Sequence, residues 1–150
     1  LVPYGDIVPM TAECPTLTFN TIGRHQSRLV RTRVASNLSP WLAKTEVGDM
    51  HTIAISHGEG RFVASDDVLA QLKANGQIAT QYVDEAGVPG MDLEVNPNGS
   101  LLAIEGITSP DGRVFGKMGH SERYSNGTFK NVPGEKDQPL FTAGVEYFTA

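Results

Sequence analysis

His120-Ser121-Glu122 is the place where residue types and spacing first point to chemistry. In an extended segment, residues i and i+2 face the same side, about 6–7 Å apart along the chain. A glutamate so placed accepts a hydrogen bond from one ring nitrogen of the histidine, leaving the other nitrogen to take a proton from a nucleophile. The triplet alone is a weak signal, because most His-x-Glu pairs are ordinary surface residues. A second candidate is His57-Gly58-Glu59-Gly60-Arg61, which follows the apolar, β-branched run His51 to Ser56. Such a run reads as a buried strand ending in a glycine loop, and ligands of open α/β sheets bind beyond the ends of strands. The plain alternative is a tight turn that needs a positive φ.

Other chemistries fall away. The four histidines, His25, His51, His57 and His120, form no His-Glu-x-x-His, and the single cysteine excludes both a Cys-rich zinc site and an internal disulfide, so no metal is expected. A zinc deaminase would need a downstream Pro-Cys-x-x-Cys, and a serine hydrolase a Gly-x-Ser-x-Gly elbow. Neither occurs, nor does a P-loop or a dinucleotide fingerprint. Cys14 precedes Pro15, which lacks the N–H that would help form an oxyanion hole, so it reads as structural. The net charge is −5 and no basic stripe alternates with aromatics, so nucleic acid is not an expected partner. Four arginines between Arg24 and Arg33 read as a strand with a solvated face, with an anionic ligand or partner domain as the other reading. Nothing resembles a signal peptide or a membrane span, which points to the cytoplasm and to no membrane partner.

The elements that must position these residues form an α/β mixture within one domain, residues 1–150. Val2 to Gly5 reads as a turn and Thr16 to Asn20 as a short strand. Ser27 to Ala35 alternates, with Leu29, Arg31 and Arg33 on one face and Val30, Thr32 and Val34 on the other. Ser65-Asp66-Asp67 caps a helix over Val68 to Ala74, which Asn75-Gly76 ends, and Gln77 to Val83 is the next strand. Asn96-Pro97-Asn98-Gly99 is a turn. Leu101 to Thr108 and Arg113 to Met118 flank Ser109-Pro110-Asp111-Gly112 as a hairpin. Asn126 to Pro139 is polar and turn-rich, and Leu140 to Phe148 predicts an amphipathic helix. Two clear helices are few for a complete doubly wound domain. The start at Leu1 rather than methionine reads as a processed chain or a piece of a longer one.

Taken together, Ile53 to Phe62, Asn96-Pro97-Asn98-Gly99-Ser100, Ile104 to Val114 and Gly119-His120-Ser121-Glu122-Arg123 follow a known order and spacing. Leu1 to Gly5 and the helix after Leu140-Phe141 also fit. The set resembles the class I glutamine amidotransferase domain of phosphoribosylformylglycinamidine synthases, over nearly the whole chain. The resemblance implies a partial flavodoxin-like three-layer fold lacking its N-terminal strands and its nucleophile elbow. The family's Cys-Asn-Gly-x-Gln elbow is not in this sequence. His120 and Glu122 match the family's catalytic histidine and glutamate. His57, Gly58 and Glu59 fall where the family lines its glutamine site. Ser121 departs from the proline common between the two catalytic residues. It is closer to the single-chain synthetases of some bacteria than to a separate glutaminase subunit. The resemblance further implies hydrolysis of glutamine to supply ammonia for ATP-dependent synthesis of formylglycinamidine ribonucleotide. ATP and Mg would serve the full-length synthetase, with no cofactor in this fragment. The expected partners are glutamine and the remainder of the synthetase. Without the missing strands, an exposed sheet edge invites self-association. The fragment by itself is expected to be inactive. The other readings are a separate glutaminase subunit of the same pathway or a non-catalytic interaction domain.

Overall fold

The computed structural model describes residues 14–149, so the turn read at Val2 to Gly5 lies outside the described residues. Strands β1 (Thr16–Thr18) and β4 (Arg61–Val63) form a small antiparallel ribbon. The main sheet comprises β2 (Gln26–Val34), β3 (Met50–His57), β5 (Ile78–Tyr82), β6 (Ile104–Thr108) and β7 (Phe115–Lys117), in the order β3-β2-β5-β6-β7. Every pairing between these strands is antiparallel. Among the described residues the α-helices are α1 (Asp66–Ala74) and α2 (Leu140–Thr149).

The alternation in β2 is realised as read. Val30, Thr32 and Val34 are buried while Leu29, Arg31 and Arg33 stay half-exposed. Arg31 and Arg33 reach sideways over its solvent face, and Arg28 does so from the face of Val30. Arg28 donates to the carbonyls of Leu93 and Glu94, Arg33 donates to that of Gly87, and Arg31 pairs with Glu85 at 2.8 Å. They thereby pin residues 84–94 to the sheet.

Helix α1 starts where Ser65 Oγ accepts from the Val68 amide, and Asp66 and Asp67 offset the positive N-terminal end. It stops at Asn75, because Gly76 takes a φ of 68° that side chains avoid. Its Val68, Leu69 and Leu72 bury against Phe62, Ile78, Ile104 and Ile107 on one face of the sheet. Leu140 of α2 buries against Val34, Leu42 and Ala79. Ile78 and Ala79 are neighbours on β5, at a shift of register between Ile78 and Thr80, and they join separate clusters, one under each helix. The result is an α/β arrangement in which each helix packs on the sheet through its own cluster.

One local expectation changes. The first arm of the hairpin begins at Ile104, not Leu101. Residues Leu101–Ala103 make a short 3-10 turn in which Leu102 and Ala103 take φ of 51° and 54°. The Gln81 side chain holds this turn by donating to the Leu102 carbonyl at 2.8 Å. The hairpin itself forms, with Thr108 opposite Phe115. β3 reads from sequence as a buried strand, and it is one. It lies at one end of the sheet order, yet His51, Thr52, Ile53 and Ile55 are buried. Residues from the irregular stretch cover it: the Thr52 amide donates to the Glu135 carbonyl at 2.6 Å, and the His120 amide to the Ala54 carbonyl at 2.8 Å. Among the described residues, no helix is long and apolar enough to cross a membrane.

Candidate functional site

His120 and Glu122 meet. The His120 Nδ1 to Glu122 Oε1 distance is 2.7 Å, with the ring partly buried and the carboxylate more than half exposed. The local conformation is not the extended segment read from sequence. Ser121–Arg123 form one turn of 3-10 helix that begins after His120. Such a turn advances only about 2 Å per residue, which draws Glu122 back toward the ring. Burial works to raise the Glu122 pKa, but its own backbone N–H and the His120 ring outweigh that effect and hold it below the ordinary value. With Nδ1 donating to the carboxylate, Nε2 is left as the acceptor. A cavity of about 430 Å³ is lined by His120, Ser121 and Glu122 together with Trp41, Leu140 and Phe141. His57, Gly58 and Glu59 do not line it.

The second group sits at the end of β3, three residues beyond the Ala54 carbonyl that holds His120. His57 is fixed by a buried polar network that the sequence does not announce. Asn98 donates from Nδ2 to Asn20 Oδ1 at 2.6 Å and contacts His57 Nδ1 at 3.3 Å. Tyr82 Oη donates to Asn98 Oδ1 at 2.9 Å. Since Asn98 approaches His57 through its amide nitrogen, Nδ1 accepts and the ring proton belongs on Nε2. That Nε2 is buried and has no hydrogen-bond partner among the described residues. Burial, then the nearby His120 and His25, lower the His57 pKa. The neutral ring is therefore favoured.

The loop after His57 is clamped on both sides. Asn20 donates to the His57 carbonyl and accepts from the Gly60 amide at 3.1 Å, and its own amide donates to the Gly58 carbonyl. Ser100 Oγ donates to the Gly60 carbonyl and accepts from the Phe62 amide. Asn96 Oδ1 in turn accepts from the Gly99 and Ser100 amides, which shapes the Asn96–Ser100 turn. Gly60 is the crowded position: a Cβ there would lie 2.5 Å from Asn98 Nδ2 and 3.0 Å from His57 Cε1. At Gly58 a Cβ would meet only His25 Cα at 4.0 Å, and Glu59 is exposed. The Asn96 to Ser100 motif was visible as a turn, but Asn20 carried no signal of its own.

Beneath the His120 turn lies an ionic cluster, also unanticipated. Glu105 on β6 is fully buried and accepts from the Gly119 amide at 2.5 Å and from Thr80 Oγ1. Lys117 Nζ lies 3.7 Å from Glu105, and burial lowers its pKa against the opposing pull of that carboxylate. Among the described residues no group of His, Cys, Asp or Glu is arranged to hold a metal ion.

Residues 1–148 match the model of the CobB/CobQ-like glutamine amidotransferase domain. The phosphoribosylformylglycinamidine synthase subunit PurQ of Aquifex aeolicus is 40% identical over 102 residues, 68% of this chain and 44% of that protein. The PurQ subunit of Methanosarcina barkeri is 35% identical over 133 residues, 89% of this chain and 55% of that protein. A solved structure described as PurLQS from Thermotoga maritima superposes with a TM-score of 0.65 at 29% identity, covering 90% of this chain and 53% of that one. The chain thus spans about half the length of the curated relatives it matches. Matched over nearly its whole length, and sharing its fold with a solved relative, the chain belongs to the CobB/CobQ-like glutamine amidotransferase family.

Proposed function

We propose that this chain supplies the acid–base half of a glutaminase that feeds ammonia to phosphoribosylformylglycinamidine synthase, a ligase forming a C–N bond. The observation that carries the reading is the 2.7 Å contact between His120 Nδ1 and Glu122 Oε1, which leaves Nε2 to move a proton. In the proposed reaction a cysteine thiol outside these 150 residues attacks the carboxamide carbon of glutamine. His120 Nε2 takes the thiol proton and returns a proton to the departing ammonia. Glu122 holds the ring and steadies its charged form. Water then releases glutamate from the thioester. The His57 Nε2–H, buried and unpartnered among the described residues, is suited to bind a carbonyl or carboxylate oxygen of glutamine. Gly58 and Glu59 flank it, and Glu59 is exposed enough to meet the substrate amine. ATP and Mg belong to the synthetase portion, in line with the naming of the relatives as synthase subunits. Those relatives also favour a separate subunit, whereas Ser121 between His120 and Glu122 favours the fused form.

The test is ammonia release from glutamine by a polypeptide that contains both these residues and the family's cysteine elbow. His120→Ala is expected to lower kcat at least about a thousandfold, as loss of a triad base does elsewhere. An unchanged rate would overturn the assignment. The 150 residues alone, with no Cys-Asn-Gly-x-Gln in their sequence, are expected to release no ammonia.

A further inference from the structure

We infer that Lys117 and Ser121 are positioning residues for the His120–Glu122 pair, held from a buried anchor at Glu105. The inference rests on the reading of that pair as the acid–base couple, and its test reads geometry rather than activity.

Ser121 Oγ accepts from Lys117 Nζ at 2.8 Å and donates to Gln138 Oε1 at 2.7 Å. Lys117 Nζ also donates to Gln138 Oε1 at 2.8 Å. Lys117 is itself anchored, 3.7 Å from the Glu105 carboxylate, whose side chain is out of contact with water. The same carboxylate accepts from the Gly119 amide. His120 therefore has a tether on each side: Gly119 to Glu105 before it and Ser121 to Lys117 after it. Its own amide is bonded to the Ala54 carbonyl. A Cβ at Gly119 would lie 2.8 Å from Glu105 Oε1, so the chain passes the anchor too closely for a side chain.

An apolar cluster of the same volume would hold the fold at least as well, because desolvating an ion pair offsets much of its attraction. Hydrogen bonds from a buried charge do add direction, which apolar contacts lack. Here the directions converge on the backbone and side chain either side of His120, in the turn that carries Glu122. Neither Lys117 nor Ser121 is hydrogen-bonded to the His120–Glu122 couple itself; Lys117 does face Glu122 as a charge, so uncharged Ser121 isolates the effect that passes through the turn.

The experiment uses the 150-residue chain labelled with 15N and 13C. Its readouts are the exchange rate of the His120 Nδ1 proton and the titration of the Glu122 carboxyl. In the unaltered chain the proton should be visible and slow to exchange, and Glu122 should titrate below the ordinary glutamate range. Ser121→Ala removes the tether and leaves the Lys117 charge in place. Lys117→Met combined with Glu105→Gln removes the charges together, and the amide oxygen that replaces the carboxylate can still accept from Gly119. Both are expected to speed exchange of the Nδ1 proton roughly tenfold or more. Both should also move the Glu122 midpoint up toward the ordinary range, with backbone amide spectra unchanged away from residues 117–123 and, in the double variant, from Glu105 and its neighbour Thr80. Ser121→Thr keeps the hydroxyl and should retain both signals. If the double variant does not fold, Ser121→Ala alone decides. The inference is overturned if a folded Ser121→Ala chain keeps both signals, or if the unaltered chain lacks the slow proton. Absence of glutaminase in the assembled enzyme, with these signals behaving as described, would count against the proposed function and leave the positioning role standing.

Discussion

Two histidines, His51 and His57, are held neutral by their surroundings. Burial is the main cause at each; at His57 the nearby His120 and His25 add to it, while at His51 Asp49, Glu135 and Asp137 pull the other way. Their folded-state pKa values lie below the ordinary histidine value of about 6.5, so the unfolded chain binds protons first as the pH falls. Their contribution to stability is therefore fully present above about pH 6.5 and is lost progressively below it, down through the folded values. The urea midpoint should fall between pH 7 and pH 5, and His51→Gln should flatten that slope. A midpoint that rises over the same interval would refute the sign. The His120–Glu122 contact was legible in the sequence because both members lie within three residues. Asn20 was not, since its partner Asn98 is 78 positions away. Lys117 and Glu105 were hidden for the same reason: each reads as an ordinary strand charge until the sheet folds one toward the other.

At the scale of elements, the His57–Gly60 loop is rigid because three buried side chains, Asn20, Asn98 and Ser100, occupy its donors and acceptors. Gly60→Ala forces Asn98 to move and breaks bonds on which the others depend. It should destabilise the chain by about 1–3 kcal/mol. Gly58→Ala, which meets open space, should change stability by less than about 0.5 kcal/mol. Paired urea denaturation curves compare them, and equal midpoints would show that the clamp carries no strain. Strand β2, helix α1 and the β6–β7 hairpin were legible because periodicity, caps and turn residues agree there. β4 is only three residues long and lies beside a glycine loop, so its pattern offered nothing to read. The Leu101–Ala103 turn was missed because two apolar residues with left-handed φ contradict their local preference and are held by tertiary contacts.

For the whole molecule, β2 pairs with both β3 and β5, and its Val34 packs against Leu140 of α2. Its amides should exchange with solvent most slowly, at the rate of global unfolding, whereas most of residues 124–139 should exchange orders of magnitude faster. Mass spectrometry of deuterium uptake would check this, and fast exchange in β2 would contradict it. The strand order was not in the sequence, because hydrophobic pattern specifies which face of a strand is buried and says little about its neighbour. The mixed α/β fold was legible from the alternation of strand and helix signals and from the family resemblance.

The bond from the His120 amide to the Ala54 carbonyl has one more consequence. His57 follows Ala54 by three residues of extended strand, a span of about 10 Å. The stretch of β3 between them works as a ruler. The spacing of the proposed proton-transfer ring and the proposed substrate-binding ring is thus graduated in strand residues. Insertions or deletions in the loops at 84–94 or 124–132 can accumulate without recalibrating it, whereas adding one residue between Ala54 and His57 would turn His57 to the opposite face.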